Sequence, residues 1–413
     1  MKSRHFTTYS GLPKEIYILF WARIINCMGS FILPLLTLIL TQKLGLSKTE
    51  TGNFSALLTL TQAPSLLLGG KLVDAIGRKK ILITCQVLGS VSYLLCGIVN
   101  NHTAMIVFIV IASNLFVAAS PAYQAMVADL TAPENRKASF SLLYLGINIG
   151  MTISPLLGGL LFQDHLSLLF ILDAATTLAS SFLIAVFIKE TKNGRQKHTA
   201  TGGAPADNAS VFHVLKAMPI LLLFIVFMSI YDFTYTQWNF MLPLQFGDLY
   251  NVNGARFFSI LTALNSLIVI MFTPLLTHLT MKFRSLVVIS GGGVLFFLSF
   301  VIFGLAKSLP LFLAAGAIFT FGEIVVTIHS GTFIADHSPS AHLGRINSIS
   351  MFMQGTARAL SPLVMGYVLS MTSYFIAWSS IAAFMLIGAT SILLLNKKSQ
   401  KQSIQAAGQE STV

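Results

Sequence analysis

GGKLVDAIGRKK, residues 69–80, sets an aspartate, a turn glycine and three consecutive cations between two long apolar runs. The flanking segments, about 52–73 and 81–99, each approach the roughly 20 apolar residues needed to cross a bilayer. The stretch therefore reads as a surface turn between two spanning helices. Charge across the rest of the chain follows the same plan. Only 10% of the 413 residues are charged and 54% are hydrophobic, against about 25% charged in a soluble domain. The net charge of +12 is not spread over a polar face that could hold nucleic acid. It sits in short clusters between apolar runs, where it orients a membrane protein.

Counting outward from this turn gives twelve spans, at about 14–42, 52–73, 81–99, 103–128, 139–163, 167–189, 217–246, 255–280, 285–306, 309–334, 345–370 and 373–395. Residues 190–215 open with ETKNGRQKHTATGGAPADNAS, which is polar and without apolar period, and read as a flexible cytoplasmic linker. The expected organisation is an N-terminal six-helix bundle (1–189), this linker, a C-terminal six-helix bundle (216–395) and a polar, disordered tail (396–413). With both termini in the cytoplasm, and Arg23 and Arg358 set aside as mid-span, every Lys and Arg falls on the inner side except Lys43, Lys48, Arg256 and Lys307. The N-terminal segment runs into the first span without a small-residue cleavage site. Cys27, Cys85 and Cys96 lie inside apolar segments and form no metal-ligand spacing.

The two halves repeat. Phe31-Ile32-Leu33-Pro34-Leu35 matches Phe240-Met241-Leu242-Pro243-Leu244 at a spacing of 209 residues. Ala128-Asp129 matches Ala335-Asp336, and Ser154-Pro155-Leu156 with Gly159 matches Ser361-Pro362-Leu363 with Gly366, at a spacing of 207. These matches join span one to seven, four to ten and five to eleven, the arrangement of transporters that rock about a central site.

Gly70-x-Leu72-x-Asp74-x-x-Gly77-Arg78-Lys79 resembles the loop signature after the second span of the major facilitator superfamily, with Ala75 where a basic residue is usual. Asp129 to Arg136, after span four, is similar to the acidic-to-basic element that accompanies it. The resemblance covers the whole chain. It implies an all-α membrane protein of twelve transmembrane helices in two pseudo-symmetric six-helix bundles, and a monomer in a bacterial inner membrane. It further implies that Asp74 meets the start of span eleven while Arg78 pairs with Asp129. Gly70, Asp74, Gly77, Arg78, Asp129 and Arg136 would then form a cytoplasmic latch. In span five, Gly146 to Gly159 resembles the antiporter signature of drug exporters. Gly150, Gly158 and Gly159 would permit close helix approach and Pro155 a kink, with Ser154 where that pattern has glycine.

Four ionisable residues fall near mid-span: Arg23, Asp232, Glu323 and Arg358. Each is costly at the bilayer centre, by about 2.5–3.5 kcal/mol on insertion scales, so they are expected to face a wet cavity or one another. Arg23 and Asp232 stand at the repeat spacing of 209. Polar residues share their helix faces: Asn26, Cys27 and Ser30 with Arg23; Thr320, Thr327 and Ser330 with Glu323; Gln354 and Ser361 with Arg358; Tyr235 and Asn239 near Asp232. Asn148 extends the set to span five. Trp21, Tyr231, Phe233, Tyr235, Trp238 and Phe240 offer an aromatic wall. Asp173, nearer the outer end of span six, reads as a structural helix-end residue.

A carboxylate that meets an Arg in one conformation and leaves it in another can take up and release a proton. The acidic positions in spans seven and ten resemble those of multidrug:proton antiporters. Asp232 and Glu323 are thus expected to carry the coupling proton, with Arg23 and Arg358 as partners. The expected function is proton-coupled alternating-access transport that exports amphipathic small molecules or drugs. Its partners would be the substrate, protons and the lipid bilayer, with no nucleic acid, no cofactor and no metal. An alternative is a proton symporter importing a small, anionic solute, and a more distant one a membrane sensor or membrane enzyme. No HExxH, GxSxG or nucleotide-binding loop supports an enzyme.

Overall fold

In a computed structural model the protein is described over residues 11–99, 101–191, 218–337 and 343–410, and these residues contain helices and turns but no strand. The chain order is α1 (Lys14–Met28), α2 (Ile32–Leu38) continued by a π-turn (Ile39–Lys43), α3 (Lys48–Ile76), α4 (Arg78–Ile98), α5 (His102–Leu130), α6 (Pro133–Leu161) and α7 (Leu166–Phe187). The second half follows with α8 (Pro219–Tyr235), a 3-10 turn (Thr236–Trp238), α9 (Met241–Tyr250), α10 (Gly254–Thr280), α11 (Ser285–Leu305), α12 (Leu309–His337), α13 (Leu343–Met371) and α14 (Tyr374–Glu410). Helices are what apolar runs of this length must form in lipid, because only the chain itself can satisfy the backbone there. Their starts are marked locally: Pro133 and Pro219 occupy first turns, and the Asn101 side chain accepts from the Ala104 N–H at 3.1 Å.

Ten segments of the described residues are long and apolar enough to cross a membrane. One of them, Pro219–Thr280, is 62 residues long and holds two passes, α8–α9 and α10. The 29-residue α13 is also of spanning length, though its two arginines dilute its apolar character. These bring the passes to twelve. The tail differs from expectation, since α14 continues as helix to Glu410 rather than ending at Asn396.

The chain divides into two compact units, one of Met1–Ser47, Leu57–Thr199 and Pro243–Ser266, the other of Lys48–Ala56, Ala200–Leu242 and Leu267–Val413. Each unit thus carries a short segment from the other half of the sequence. Small residues make these exchanges possible. A Cβ on Gly52 would lie 2.3 Å from the Pro362 carbonyl oxygen, so the start of α3 rests on the backbone of α13. A Cβ on Gly159 would meet Ser259 at 2.5 Å, where α6 crosses α10.

In the first unit the core joins Ile16, Leu19 and Ala22 of α1 with Leu82 and Cys85 of α4, Ala122 and Met126 of α5, and Ile184 of α7. In the second it is aromatic, with Phe296, Phe300 and Phe303 of α11 packed around Phe319 and Trp378. Both halves break their first span. Gly29 ends α1, and a Cβ there would fall 1.7 Å from Thr176 Oγ1, so the break is pressed against α7. In the second half the 3-10 turn Thr236–Trp238 separates α8 from α9.

Candidate functional site

A cavity of about 250 Å³ opens inside the second unit, among α8, α11, α12 and α13. Asp232 and Tyr235 enter it from α8, Phe296 from α11, Glu323, Thr327 and Ser330 from α12, and Gln354 and Arg358 from α13. The helical period explains why: Glu323, Thr327 and Ser330 recur every three or four residues, as do Gln354 and Arg358, so each set shares one face.

A polar chain runs along the walls. Arg358 Nε donates to Asp232 Oδ1 at 2.8 Å, and Arg358 Nη2 donates to Gln354 Oε1 at 3.4 Å. Gln354 Nε2 donates in turn to Ser350 Oγ at 3.2 Å. Nearby, the Tyr235 hydroxyl donates to Glu323 Oε1 at 2.8 Å. The Arg358 side chain is 52% exposed and that of Asp232 16%. The pair is therefore wet on one side and dry on the other, an arrangement that can separate without leaving both charges in a dry interior. Tyr235 is held by stacking on Phe319 (centroids 5.5 Å apart), which Trp238 also stacks upon at 4.6 Å. The Tyr231 hydroxyl donates to the Ile289 carbonyl at 3.1 Å, which fixes that ring at the cavity edge.

The structure thus brings Asp232, Glu323, Tyr235, Gln354 and Arg358 together. The expected residues of the first half have other neighbours. The Arg23 guanidinium lies 5.1 Å from the centre of the Tyr123 ring, a cation–π contact, and Tyr123 donates to the Leu19 carbonyl at 3.1 Å. Asn26 Nδ2 donates to Thr177 Oγ1 at 3.0 Å, which joins α1 to α7. Asn148 Nδ2 turns back on the Tyr144 carbonyl of its own helix at 2.8 Å. Of the aromatic set, Tyr231 and Tyr235 line the cavity, Trp238 and Phe240 are buried, Phe233 packs on Phe384, and Trp21 is exposed.

Span five is closely packed at its small residues. A Cβ on Gly150 would lie 2.5 Å from Cys27 Cβ, and one on Gly158 3.1 Å from Leu35. Pro155 sits within α6 without ending it. Beside it, the Ser154 hydroxyl donates to the Ser30 carbonyl at 2.8 Å, at the break of span one. The serine in the glycine position of the motif therefore satisfies an acceptor that the break leaves open.

In the loop of residues 69–80, Arg78 is buried and its Nε donates to Asp129 Oδ2 at 3.0 Å. Asp74 lies 3.6 Å from Arg78 with its side chain 74% exposed. Arg136 reaches the Ala128 carbonyl at 3.3 Å. Gly77 has φ +134°, open to glycine and strained for other residues. The glycine pair of this loop divides its roles: a Cβ on Gly69 would lie 2.1 Å from the Ala118 carbonyl oxygen, whereas Gly70 faces open space. Two further residues join this cluster. Glu190 accepts from the Arg78 N–H at 2.9 Å, and Thr191 Oγ1 donates to Asp129 Oδ2 at 3.2 Å. Sequence reasoning assigned both to the linker.

Among the described residues no group of His, Cys, Asp and Glu is arranged to hold a metal ion.

Comparison with known proteins agrees with this architecture. The sequence pattern of the Major Facilitator Superfamily matches residues 19–362 and 239–412. A Planococcus maritimus "Na(+), Li(+), K(+)/H(+) antiporter" is 26% identical over 79% of this chain and 81% of its own length. The Staphylococcus aureus "Quinolone resistance protein NorA" is 25% identical over 45% of this chain and 49% of its own. The crystal structure of the nucleoside transporter NupG superposes with a TM-score of 0.77, at 15% identity, over 93% of this chain and all of that one. At that identity the superposition speaks for the fold alone. Taken with the apolar helices and the match along the whole sequence, the chain belongs to the major facilitator superfamily and is a multi-pass membrane transporter rather than an enzyme.

Proposed function

We propose that this protein is a proton-coupled antiporter that exports amphipathic small molecules by alternating access, with Asp232 and Glu323 as the proton-carrying groups. One observation carries the reading: both carboxylates, a partly exposed guanidinium and an aromatic wall face one 250 Å³ cavity. Protonation of Asp232 removes its attraction for Arg358, and substrate can then take the place the guanidinium held. Return of Arg358 to Asp232 expels the proton. Tyr235 supplies Glu323 with a hydrogen-bond donor that serves the carboxylate before and after proton transfer. The relative described as a cation/H(+) antiporter and the one named for quinolone resistance support antiport of this general kind.

The distribution of Lys and Arg supports a reading with both termini in the cytoplasm, and the family resemblance one in a bacterial inner membrane. In this reading the two six-helix bundles, 1–189 and 216–395, rock about the linker. The loop around Asp74 and Arg78 is one half of a cytoplasmic latch. A second reading, a symporter importing a small anionic solute, is favoured by the half-exposed guanidinium of Arg358.

The test is reconstitution into liposomes with an imposed pH gradient and a chemically broad panel of solutes. Antiport predicts solute movement opposite to the proton flow. Movement of solute with the protons would replace export by the symporter reading, and no gradient-driven flux of any solute would overturn both.

A further inference from the structure

The first turn of α4 poses a problem that its own sequence does not solve. A helix start leaves backbone N–H groups without intrahelical partners, and the residue before α4 is Gly77, which has no side chain to cap them. The missing acceptor arrives from the end of the sixth span. The Glu190 carboxylate receives the N–H groups of Arg78 at 2.9 Å, Lys79 at 3.4 Å and Lys80 at 3.3 Å. Its approach is so close that a Cβ on Gly77 would lie 2.6 Å from Glu190 Oε2. Glycine at position 77 therefore answers two demands, the positive φ and the carboxylate seated against it.

Thr191 makes a second attachment. Its hydroxyl donates to Asp129 Oδ2, the same oxygen that Arg78 Nε reaches. A third tie runs the other way, from Lys79 Nζ to the Ala185 carbonyl in the last turn of α7 at 2.6 Å, where a cation also suits the helix dipole. Around the buried Arg78, the ends of α4, α5 and α7 are thus bound by Lys79 of the loop signature and by Glu190 and Thr191, which the signature does not contain.

We propose that Glu190 and Thr191 form a clasp that fixes the chain leaving α7 on the Arg78–Asp129 pair, so that these two residues position the pair for the transport cycle. Thr191 shares the Asp129 oxygen with Arg78, and Glu190 orients the backbone on which Arg78 is carried. The inference rests on the transport reading above, and its test has one arm that does not.

That test compares wild type with Glu190→Gln, Glu190→Ala and Thr191→Val in the full-length reconstituted protein. The first arm reads transport of a solute the wild type moves, per folded molecule. Turnover is expected to change at least threefold in Glu190→Ala and Thr191→Val, with KM within twofold of wild type, and Glu190→Gln is expected to lie between. The second arm reads limited trypsin cleavage after Lys192 and Arg195, expected to be about tenfold faster in Glu190→Ala. Wild-type turnover and wild-type cleavage in all three variants would overturn the proposal. A lowered thermal midpoint with turnover per folded molecule unchanged would also overturn it, by showing a helix cap and nothing more. If the wild type moves no solute at all, the transport reading fails, and the cleavage arm alone accepts or rejects the clasp.

Discussion

The two halves of this molecule descend from one plan and spend it differently. The repeat spacing of 207 residues sets Phe116 in α5 opposite Glu323 in α12, and Gly89 in α4 opposite Phe296 in α11. In the first half the large residue is Phe116: its ring meets Tyr93 edge to face at 5.4 Å, and a Cβ on Gly89 would lie 2.5 Å from it. In the second half the ring belongs to α11, and the position on α12 has become a carboxylate facing a cavity. The spacing of 209 likewise sets Arg23, stacked on Tyr123, against Asp232, paired with Arg358. One half fills the equivalent space with packed rings, and the other leaves it open and lines it with titratable groups. A repeated fold can therefore keep its helix geometry while reserving one copy for chemistry.

The most severe way to break this comparison is to remove the charge where the cavity is. A positioned proton-transfer group contributes about a hundredfold or more to the rate it serves. Glu323→Gln is accordingly expected to lower gradient-driven flux by about that factor while the protein remains folded, because Gln keeps the size and still accepts from Tyr235. Phe116→Leu, at the equivalent packed position, is expected to change flux by less than about threefold. Both are measured as substrate flux in liposomes under a fixed pH gradient. Equal effects at the two positions would erase the asymmetry.

The halves also hold their broken first spans differently, and here the first half uses a charge. Asp173 Oδ2 in α7 accepts from the N–H groups of Phe31 at 3.1 Å and Ile32 at 3.3 Å, which closes the break between α1 and α2. The repeat places Ser380 there in the second half, and its hydroxyl turns to the Ile376 carbonyl of its own helix at 2.9 Å. Hydrogen bonds to a charged group contribute about 1.5–3 kcal/mol against about 0.5–1.5 for neutral pairs. Asp173→Asn, which keeps an acceptor and loses the charge, is expected to destabilise the protein by about 1–2 kcal/mol. Thermal unfolding in detergent would register it as a lowered midpoint, with KM and coupling unchanged in the protein that remains folded. A shift in coupling with no loss of stability would move Asp173 from structure to transport.

What the sequence disclosed and what it withheld divide along similar lines. Spans and their order were legible because an apolar run of helical length has one stable outcome in lipid. That Asp232 would face a cation was legible because a mid-span charge needs a partner, though Arg23 and Arg358 were equal candidates for it. Contacts decided by distant backbone were not. Glu190 caps a helix whose first residue lies 112 positions earlier, and capping signals in sequence are local. The break at Gly29 has a local signal in Pro34, which offers no N–H to the Ser30 carbonyl, but only the Thr176 side chain pressed against it shows why glycine is there. Gly69 and Gly70 are indistinguishable as letters, yet a helix crossing selects the first. The continuation of α14 past Asn396 was missed because polarity was read as disorder, although polar residues outside the bilayer extend a helix at little cost.

The smallest expected effect is also the most symmetrical. Ser154 and Ser361 stand at the repeat spacing, each just before the proline of its span. Ser154 donates to the Ser30 carbonyl at 2.8 Å and Ser361 to the Phe233 carbonyl at 2.6 Å, each beside the break in its half's first span. Ser361 also accepts from Gln237 Nε2, a contact the first half lacks because Met28 stands at the equivalent position. Replacing either serine by alanine removes one donor from a part-buried carbonyl, at about 0.5–1.5 kcal/mol for a neutral hydrogen bond. Ser361→Ala should be the costlier of the two, since it removes two hydrogen bonds rather than one, although Gln237 Nε2 keeps its 3.2 Å bond to the Phe233 carbonyl. The difference is expected to be within about 1 kcal/mol and readable as a difference in thermal midpoint. If Ser154→Ala proves the more damaging, the break in span one depends on its serine more than on Asp173, and the contrast between a charged and a neutral fastening fails.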